Sequence, residues 1–126
     1  MKKFNYQTGR AGEEIARRFL RKKGYRILES NFHTRFGEID LICSENRKLV
    51  FVEVKLKMGE KFGSPEEMIS KRKILQIQTT SRAFLQERQK LDQNYSSYRI
   101  DAVAIVLNKD KTVSRINHYQ NIGFDL

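Results

Sequence analysis

Residues 38–57 read EIDLICSENRKLVFVEVKLK. Two strand-like runs, Glu38–Ser44 and Leu49–Lys57, flank Asn46-Arg47, and Leu49-Val50-Phe51-Val52 is the most strand-like stretch of the chain. Asn46-Arg47 is a serviceable turn pair, so the two runs predict a hairpin. A hairpin centred there sets Asp40 directly opposite Glu53 and Glu38 opposite Lys55, and a longer loop about the same centre keeps that register. Side chains alternate along a strand, so Glu38, Asp40, Glu53 and Lys55 then share one face. Ile39, Leu41 and Cys43 share the other face with Val52 and Val54, which belong in the core.

Directly opposed residues have β-carbons roughly 4.5–5.5 Å apart, and two carboxylates at that distance repel. A divalent cation removes the conflict. Magnesium takes hard oxygen ligands and is held by one or two carboxylates together with water and substrate phosphate. Such an ion polarises a phosphoryl oxygen and lowers the pKa of a water. Lys55, on the same face, can orient that water or stabilise developing negative charge. A Glu-x-Lys on a strand is, by itself, more often a solvated face than a site. The register adds weight, because it brings Glu38, Asp40 and Glu53 to one face with Lys55. Asp40, Glu53 and Lys55 are therefore the candidate catalytic residues for phosphodiester hydrolysis, with Mg2+ or Mn2+ as the expected cofactor.

Upstream of Gly37, Tyr25–Phe32 reads as another strand. Ala11, Ile15, Ala16, Phe19 and Leu20 recur at helical spacing and predict a helix from about Gly9 to Lys23, with Thr8 as its cap and Gly24 as its stop. Residues 1–7 are expected to be a flexible lead. Downstream, Met58–Ser64 reads as a loop, and Ser64-Pro65-Glu66-Glu67 as a capping box opening a short turn. A longer helix is predicted from Ser70 to about Lys90, with Ile69 and Ile74 as a hydrophobic staple. Tyr98–Leu107 is almost continuously apolar after Asp101, which predicts a central, partly parallel strand. A weaker strand covers Val113–Tyr119. The order αβββαββ makes a single domain over residues 1–126, an α/β three-layer α/β/α sandwich with a central mixed sheet.

The 126 residues hold 25 Lys+Arg against 15 Asp+Glu, a formal net charge of +10. That excess suggests an acidic polymer as partner, with nucleic acid favoured over a membrane surface. A merely soluble basic protein is the plainer reading of the same number. One cysteine allows no internal disulfide and fits a reducing compartment. His33 and His118 stand apart, without the ligand spacing of a zinc site. No apolar run approaches membrane-spanning length and no hydrophobic signal segment follows the charged N-terminus, so a soluble cytoplasmic protein is expected.

Glu38-Ile39-Asp40 followed by Phe51-Val52-Glu53-Val54-Lys55 resembles the PD-(D/E)xK signature of the restriction-endonuclease-like fold. More closely, the chain resembles small bacterial proteins of the YraN type, predicted endonucleases distantly similar to archaeal Holliday junction resolvases. The likeness spans nearly the whole chain. It includes Gly12-Glu13 with Ala16, Lys22-Lys23-Gly24-Tyr25, Gly37 to Ile42, Glu53-Val54-Lys55, Phe62-Gly63 and Arg99-Ile100-Asp101-Ala102-Val103. It implies an active-site core of Asp40, Glu53 and Lys55. Glu13 would be a further acid, brought in from the first helix to help hold a second metal or a metal-bound water. Ile39 departs from the proline of the signature, and Lys57 stands where relatives often carry arginine; neither change removes a ligand.

Other residues carry weaker expectations. An acid early in a helix is also favoured by the helix dipole, so a structural role for Glu13 stands level with the functional one. Glu38 is expected to pair with Lys55. Arg17, Arg21, Lys57 and Lys73 are candidate contacts to nucleic-acid phosphates, among basic runs that otherwise read as solvated faces. Asp101 suggests an internal ion pair or a turn hydrogen bond, Cys43 a small core residue, His33 a surface residue, and Tyr119 and Phe124 packing. The first functional reading is a metal-dependent DNA endonuclease, with branched or junction DNA as a candidate substrate and a homodimer as the assembly that would match its symmetry. The second is a non-catalytic nucleic-acid-binding module on the same fold. An RNA-binding or ribosome-associated protein is weaker, for want of an aromatic stacking motif.

Overall fold

Five strands lie side by side in chain order: β1 (Arg26–Thr34), β2 (Gly37–Glu45), β3 (Lys48–Met58), β4 (Ser97–Leu107) and β5 (Val113–Tyr119). The computed structural model describes residues 2–88 and 94–123, and of residues 2–9 the backbone alone. Neighbouring strands run antiparallel except β3 and β4, which are parallel. The step between that parallel pair is made through a 3-10 turn, Pro65–Met68, and a helix, α2 (Lys71–Glu87). The first helix, α1 (Lys2–Lys22), precedes the sheet. The expected order and the three-layer α/β/α arrangement with a mixed sheet are present.

Two apolar clusters sit on opposite faces of the sheet. Ala16 and Leu20 of α1 bury Leu41, Cys43, Val50, Val52, Val103 and Ile105. Ile77 and Phe84 of α2 bury Phe32, Ile39, Ile42, Leu49, Phe51 and Ile100. Strand β4 contributes to both clusters, which is why its sequence is continuously apolar. Phe84 meets Phe32 and Phe51 edge-on, at centroid distances of 5.1 and 5.8 Å. Each such aromatic, fully buried, stabilises the fold by about 1.5–3 kcal/mol.

Local chemistry sets the ends of the elements. The backbone of α1 is helical from Lys2, well ahead of the Gly9 start expected, and residues 2–8 hold neither proline nor glycine to interrupt it. It stops at Gly24, which takes a positive φ of 93° while Tyr25 N–H closes onto Leu20 C=O at 3.0 Å. Asn46 and Arg47 both adopt positive φ, 48° and 64°, and make the tight turn between β2 and β3. Ser70 caps α2 by accepting from Lys73 N–H at 3.1 Å. Ser64 makes no such side-chain bond, so proline at the first position opens the 3-10 turn without the expected box. α2 ends at Glu87, capped by Arg88, whose N–H donates to Phe84 C=O at 2.9 Å, short of the expected end near Lys90; Lys90 and Phe124 lie outside the described residues. Among the described residues no helix is long and apolar enough to cross a membrane.

The alternation expected along β2 is corrected by the structure. Ile39 packs on the α2 side, whereas Leu41 and Cys43 pack on the α1 side. The same reversal occurs in the neighbouring strand: Ser30 accepts from Arg17 of α1, and Phe32 packs on Phe84 of α2. The ladder pairs Ser30 with Leu41 and Phe32 with Ile39, so Asn31 and Asp40 face each other at the reversal. Asn31 has a φ of 54°, the left-handed conformation that asparagine tolerates better than most residues. That single residue rolls the sheet edge over, and the roll occurs beside the carboxylates.

Candidate active site at a fork between two strands

The β2–β3 ladder has the register that the Asn46-Arg47 turn implies, with Leu41 opposite Val52 and Cys43 opposite Val50. Leu41–Val52 is its last pair, and beyond it the two strands part. β3 continues alongside β4 as far as Met58, while β2 stays with β1. Asp40 stands in the opening. Its Oδ2 accepts from the Val54 backbone N–H at 2.8 Å, so a side chain takes over where the ladder stops.

Asp40 and Glu53 meet at this fork, their carboxyl groups within hydrogen-bonding reach. Burial pushes the Asp40 carboxyl well above the ordinary carboxylate range, and the hydrogen bond and charge of Glu53 push it further; the Val54 N–H and the Lys55 charge pull the other way. Glu53 is only 3% exposed, and its Oε2 is buried without a hydrogen-bond partner. Lys73, from the first turn of α2, stands 3.3 Å from that oxygen as an ion pair outside hydrogen-bond geometry. That oxygen is offset by the Lys73 charge but has no donor in hydrogen-bond geometry, and a bound divalent cation would satisfy it more fully.

Glu13 reaches the fork from α1. Asn31 Nδ2 donates to its Oε2 at 3.2 Å, so the left-handed strand residue also positions this acid. Burial raises the Glu13 carboxyl; the Asn31 bond lowers it, and the charges of Asp40 and Glu38 raise it again. Arg10, Glu13, Glu14, Arg17, Asn31, Glu38 and Asp40 line an open cleft of about 860 Å³ between α1 and the strands. The cleft lies on the α1 side, whereas Lys73 meets Glu53 from α2; Asp40 joins the two sides through the opening.

The acids are thus a contacting pair, Asp40 and Glu53, with Glu13 across the cleft. Among the described residues no three His, Cys, Asp or Glu side chains form a group able to hold a metal ion by themselves. A pair suffices for magnesium, which completes its shell with water and phosphate. The paired carboxylates and the unsatisfied Glu53 oxygen fit that requirement.

Lys55 is partly buried on β3, close enough for its charge to act on Asp40. No ion pair joins it to Glu38 among the described residues, because the strands have already separated at that level; Glu38 instead lines the cleft. Arg17 also lines the cleft but is tied to Glu14 at 2.9 Å and to Ser30. Arg21, one turn further along α1, is exposed, and Lys57 is partly buried on β3. Lys73 was expected only as a phosphate contact. Its approach to Glu53 depends on the chain connection through α2, which no local pattern shows. Asn31 was likewise missed, its one signal being a residue tolerant of positive φ inside a strand.

A second buried polar group lies elsewhere in the sheet. Asp101 accepts from Arg99 Nε and His118 Nε2, both at 2.8 Å, and from Asn121 N–H at 3.0 Å. Lys23 donates to His118 Nδ1 at 2.7 Å, which places the ring proton on Nε2. Arg99 also donates to Tyr25. The expectation of an internal ion pair at Asp101 is met, and His118 is a part of it that the sequence did not indicate.

Fold and site together define an α/β/α domain with a buried acidic pair at a strand fork. The chain belongs to the Uncharacterised protein family UPF0102, which matches residues 12–105. It is 43% identical over 117 residues to a UPF0102 protein of Syntrophomonas wolfei, covering 93% of this chain and 97% of the relative. It is 40% identical over 113 residues to one from Pelotomaculum thermopropionicum, covering 90% and 92%. A third, from Persephonella marina, is 41% identical over 123 residues, covering 98% and 97%.

Proposed function

We propose that this protein is a metal-dependent DNA endonuclease of the PD-(D/E)xK, restriction-endonuclease-like superfamily, acting on phosphodiester bonds at the β2–β3 fork. The observation that carries the reading is the buried Asp40–Glu53 pair with one carboxylate oxygen unsatisfied. Burying two carboxyl groups together costs a packed core stability, whereas a cation-assisted hydrolysis uses both as ligands. Asp40 and Glu53 would hold Mg2+ or Mn2+, and Glu13 would add a carboxylate for a bound water. When bound, such an ion polarises a phosphoryl oxygen and makes water a better nucleophile.

The chain's own residues supply the rest. The Val54 N–H fixes the Asp40 carboxylate at its Oδ2, so one ligand is preorganised by backbone. Lys73 offsets the charge of Glu53 and holds that side chain toward the fork. Lys55 brings a cation to the same opening, where it can steady negative charge on a phosphate. Arg10 and Arg17 on the cleft wall suit the backbone of a nucleic acid, which positions it without reading sequence. The net charge of +10 favours such a partner at long range.

The test is a cleavage panel of single-stranded, duplex, flap and four-way-junction DNA with magnesium or manganese, comparing parent, Glu53→Gln and Lys55→Ala. Divalent-dependent cutting by the parent, lost in both variants, supports the reading; variants that cut as well as the parent overturn the site. A non-catalytic DNA-binding module is the second reading, and the Lys73–Glu53 ion pair favours it, since a lysine can hold the acid without metal. It requires salt-sensitive DNA binding with no cleavage of any substrate and no stabilisation by divalent ions.

A further inference from the structure

Strands β2 and β3 are antiparallel, so the start of β2 and the end of β3 lie at the same end of the sheet, the end toward which the fork opens. The β1–β2 turn there carries Arg35 and Phe36, and the loop after β3 carries Lys61 and Phe62. The strands part beyond Leu41–Val52, so these two turns stand on the two arms of the fork at its open end. Both rings are exposed, Phe36 at 44% and Phe62 at 88%. Each has a cation over its face: the Arg35 guanidinium carbon lies 4.9 Å from the Phe36 centroid, and Lys61 Nζ lies 5.6 Å from that of Phe62. Leaving a phenylalanine in water forgoes burial energy, and neither ring belongs to either apolar cluster.

We propose that Phe36 and Phe62 stack on unpaired nucleobases on either side of the fork, so that the substrate is DNA with single-stranded bases beside the phosphate held at Asp40 and Glu53. The inference rests on the nuclease reading for the place of that phosphate. The chemistry of the two turns fits a single strand closely. An aromatic face binds a base of any identity, and the neighbouring cation binds the adjoining phosphate. In uninterrupted duplex the bases are stacked on one another, and their faces are closed to a side chain. Both rings sit on turns at the sheet end, so they can reach bases splayed from a branch or gap without disturbing the core.

The experiment is fluorescence anisotropy in EDTA with a fluorescein-labelled thymidine oligonucleotide and an abasic oligonucleotide of equal length, which keeps the phosphates and removes the bases. The parent is expected to bind the thymidine strand the more tightly. Phe62→Ala and Phe36→Ala should each lose about tenfold on the thymidine strand, within the range for one stacked base, and little on the abasic strand. Phe62→Tyr should keep the affinity, and Phe62→Leu, apolar but without a π face, should lose it. Salt dependence should be unchanged in every variant, since the phosphate contacts remain. Equal binding of both strands by the parent, or alanine and leucine variants that bind as the parent does, overturns the proposal. Because EDTA prevents cleavage, the outcome is separable from catalysis. Base-dependent binding by a protein that never cuts sinks the nuclease reading alone, and a cutting protein indifferent to bases sinks this one alone.

Discussion

The carboxylate of Asp40 accepts from the backbone N–H of Val54 at 2.8 Å, filling the place of a strand partner. That bond explains how a sheet can open beside a charged site without stranding a backbone donor. It also makes the stability of the domain answer to the chemistry of one side chain, with measurable consequences.

Asp40→Asn retains an oxygen for the Val54 N–H and removes one of two facing acids. In EDTA at neutral pH this variant is expected to be more stable than the parent by about 1 kcal/mol, roughly 3–5 °C in Tm. Asp40→Ala leaves the Val54 N–H unsatisfied and should lose about 1–3 kcal/mol. Neither variant should cut DNA. Thermal melts of the three proteins decide the matter; an asparagine variant less stable than the alanine one would show that the bond to Val54 is not what holds the fork.

Lys73→Ala removes the cation beside a buried carboxylate, and a loss of about 1–3 kcal/mol in urea denaturation is expected. Lys55→Ala removes a partly buried cation that has no ion pair among the described residues, so its stability should stay near the parent's while cleavage is lost. If Lys55→Ala proves the more destabilising of the two, the roles given to these lysines are reversed.

Magnesium or manganese should raise the Tm of the parent, by about 2.7 kcal/mol of stabilisation at a hundredfold excess over Kd. Lys73→Ala should gain more from the ion than the parent does, because the ion then replaces a missing cation. Glu53→Gln should gain little. A Glu53→Gln protein stabilised as strongly as the parent would falsify the assignment of Glu53 as a ligand.

Stability without metal should respond to pH with opposite signs at two buried acids. Burial and the charge of Glu53 raise the Asp40 carboxyl from 3.8 to about 8, so its protonated form is favoured in the folded state. Its contribution is present at low pH and declines as pH rises from about 4 toward about 8. Burial alone would also raise Asp101, but hydrogen bonds from His118, Arg99 and Asn121 N–H outweigh it and hold that carboxyl below its ordinary value. Its contribution is present above the ordinary aspartate range and is lost as pH falls through the lowered value. Urea midpoints across pH should therefore fall on both sides of a mildly acidic optimum, and Asp40→Asn should flatten only the alkaline side.

Much of this architecture was legible because local rules fixed it. Two residues able to take positive φ, Asn46 and Arg47, set the hairpin register, which holds up to Leu41–Val52; the expected pair Asp40–Glu53 lies just past it, where the strands part. The apolar run of β4 announced burial on both faces, and Ser70 announced the cap of α2. The roll at Asn31 and Asp40 was not legible, since strict alternation assumes a regular strand and one left-handed residue between α1 and α2 defeats it. Glu38 lost its expected partner because β2 and β3 separate beyond Leu41–Val52. Lys73 reaches Glu53 only after the chain has passed through a turn and a helix cap, and His118 meets Asp101 only through the pairing of β4 with β5. Both contacts are products of topology, which a residue pattern does not carry.

The thiol of Cys43 is completely buried against α1, and burial pushes it up to about 12. Alkylating reagents attack the thiolate, so the native protein should be inert to them and each opened molecule should be marked at a single place. Pulsed labelling of this one sulfur therefore offers a clock for how often the α1 side of the sheet comes apart, read by mass without an introduced probe.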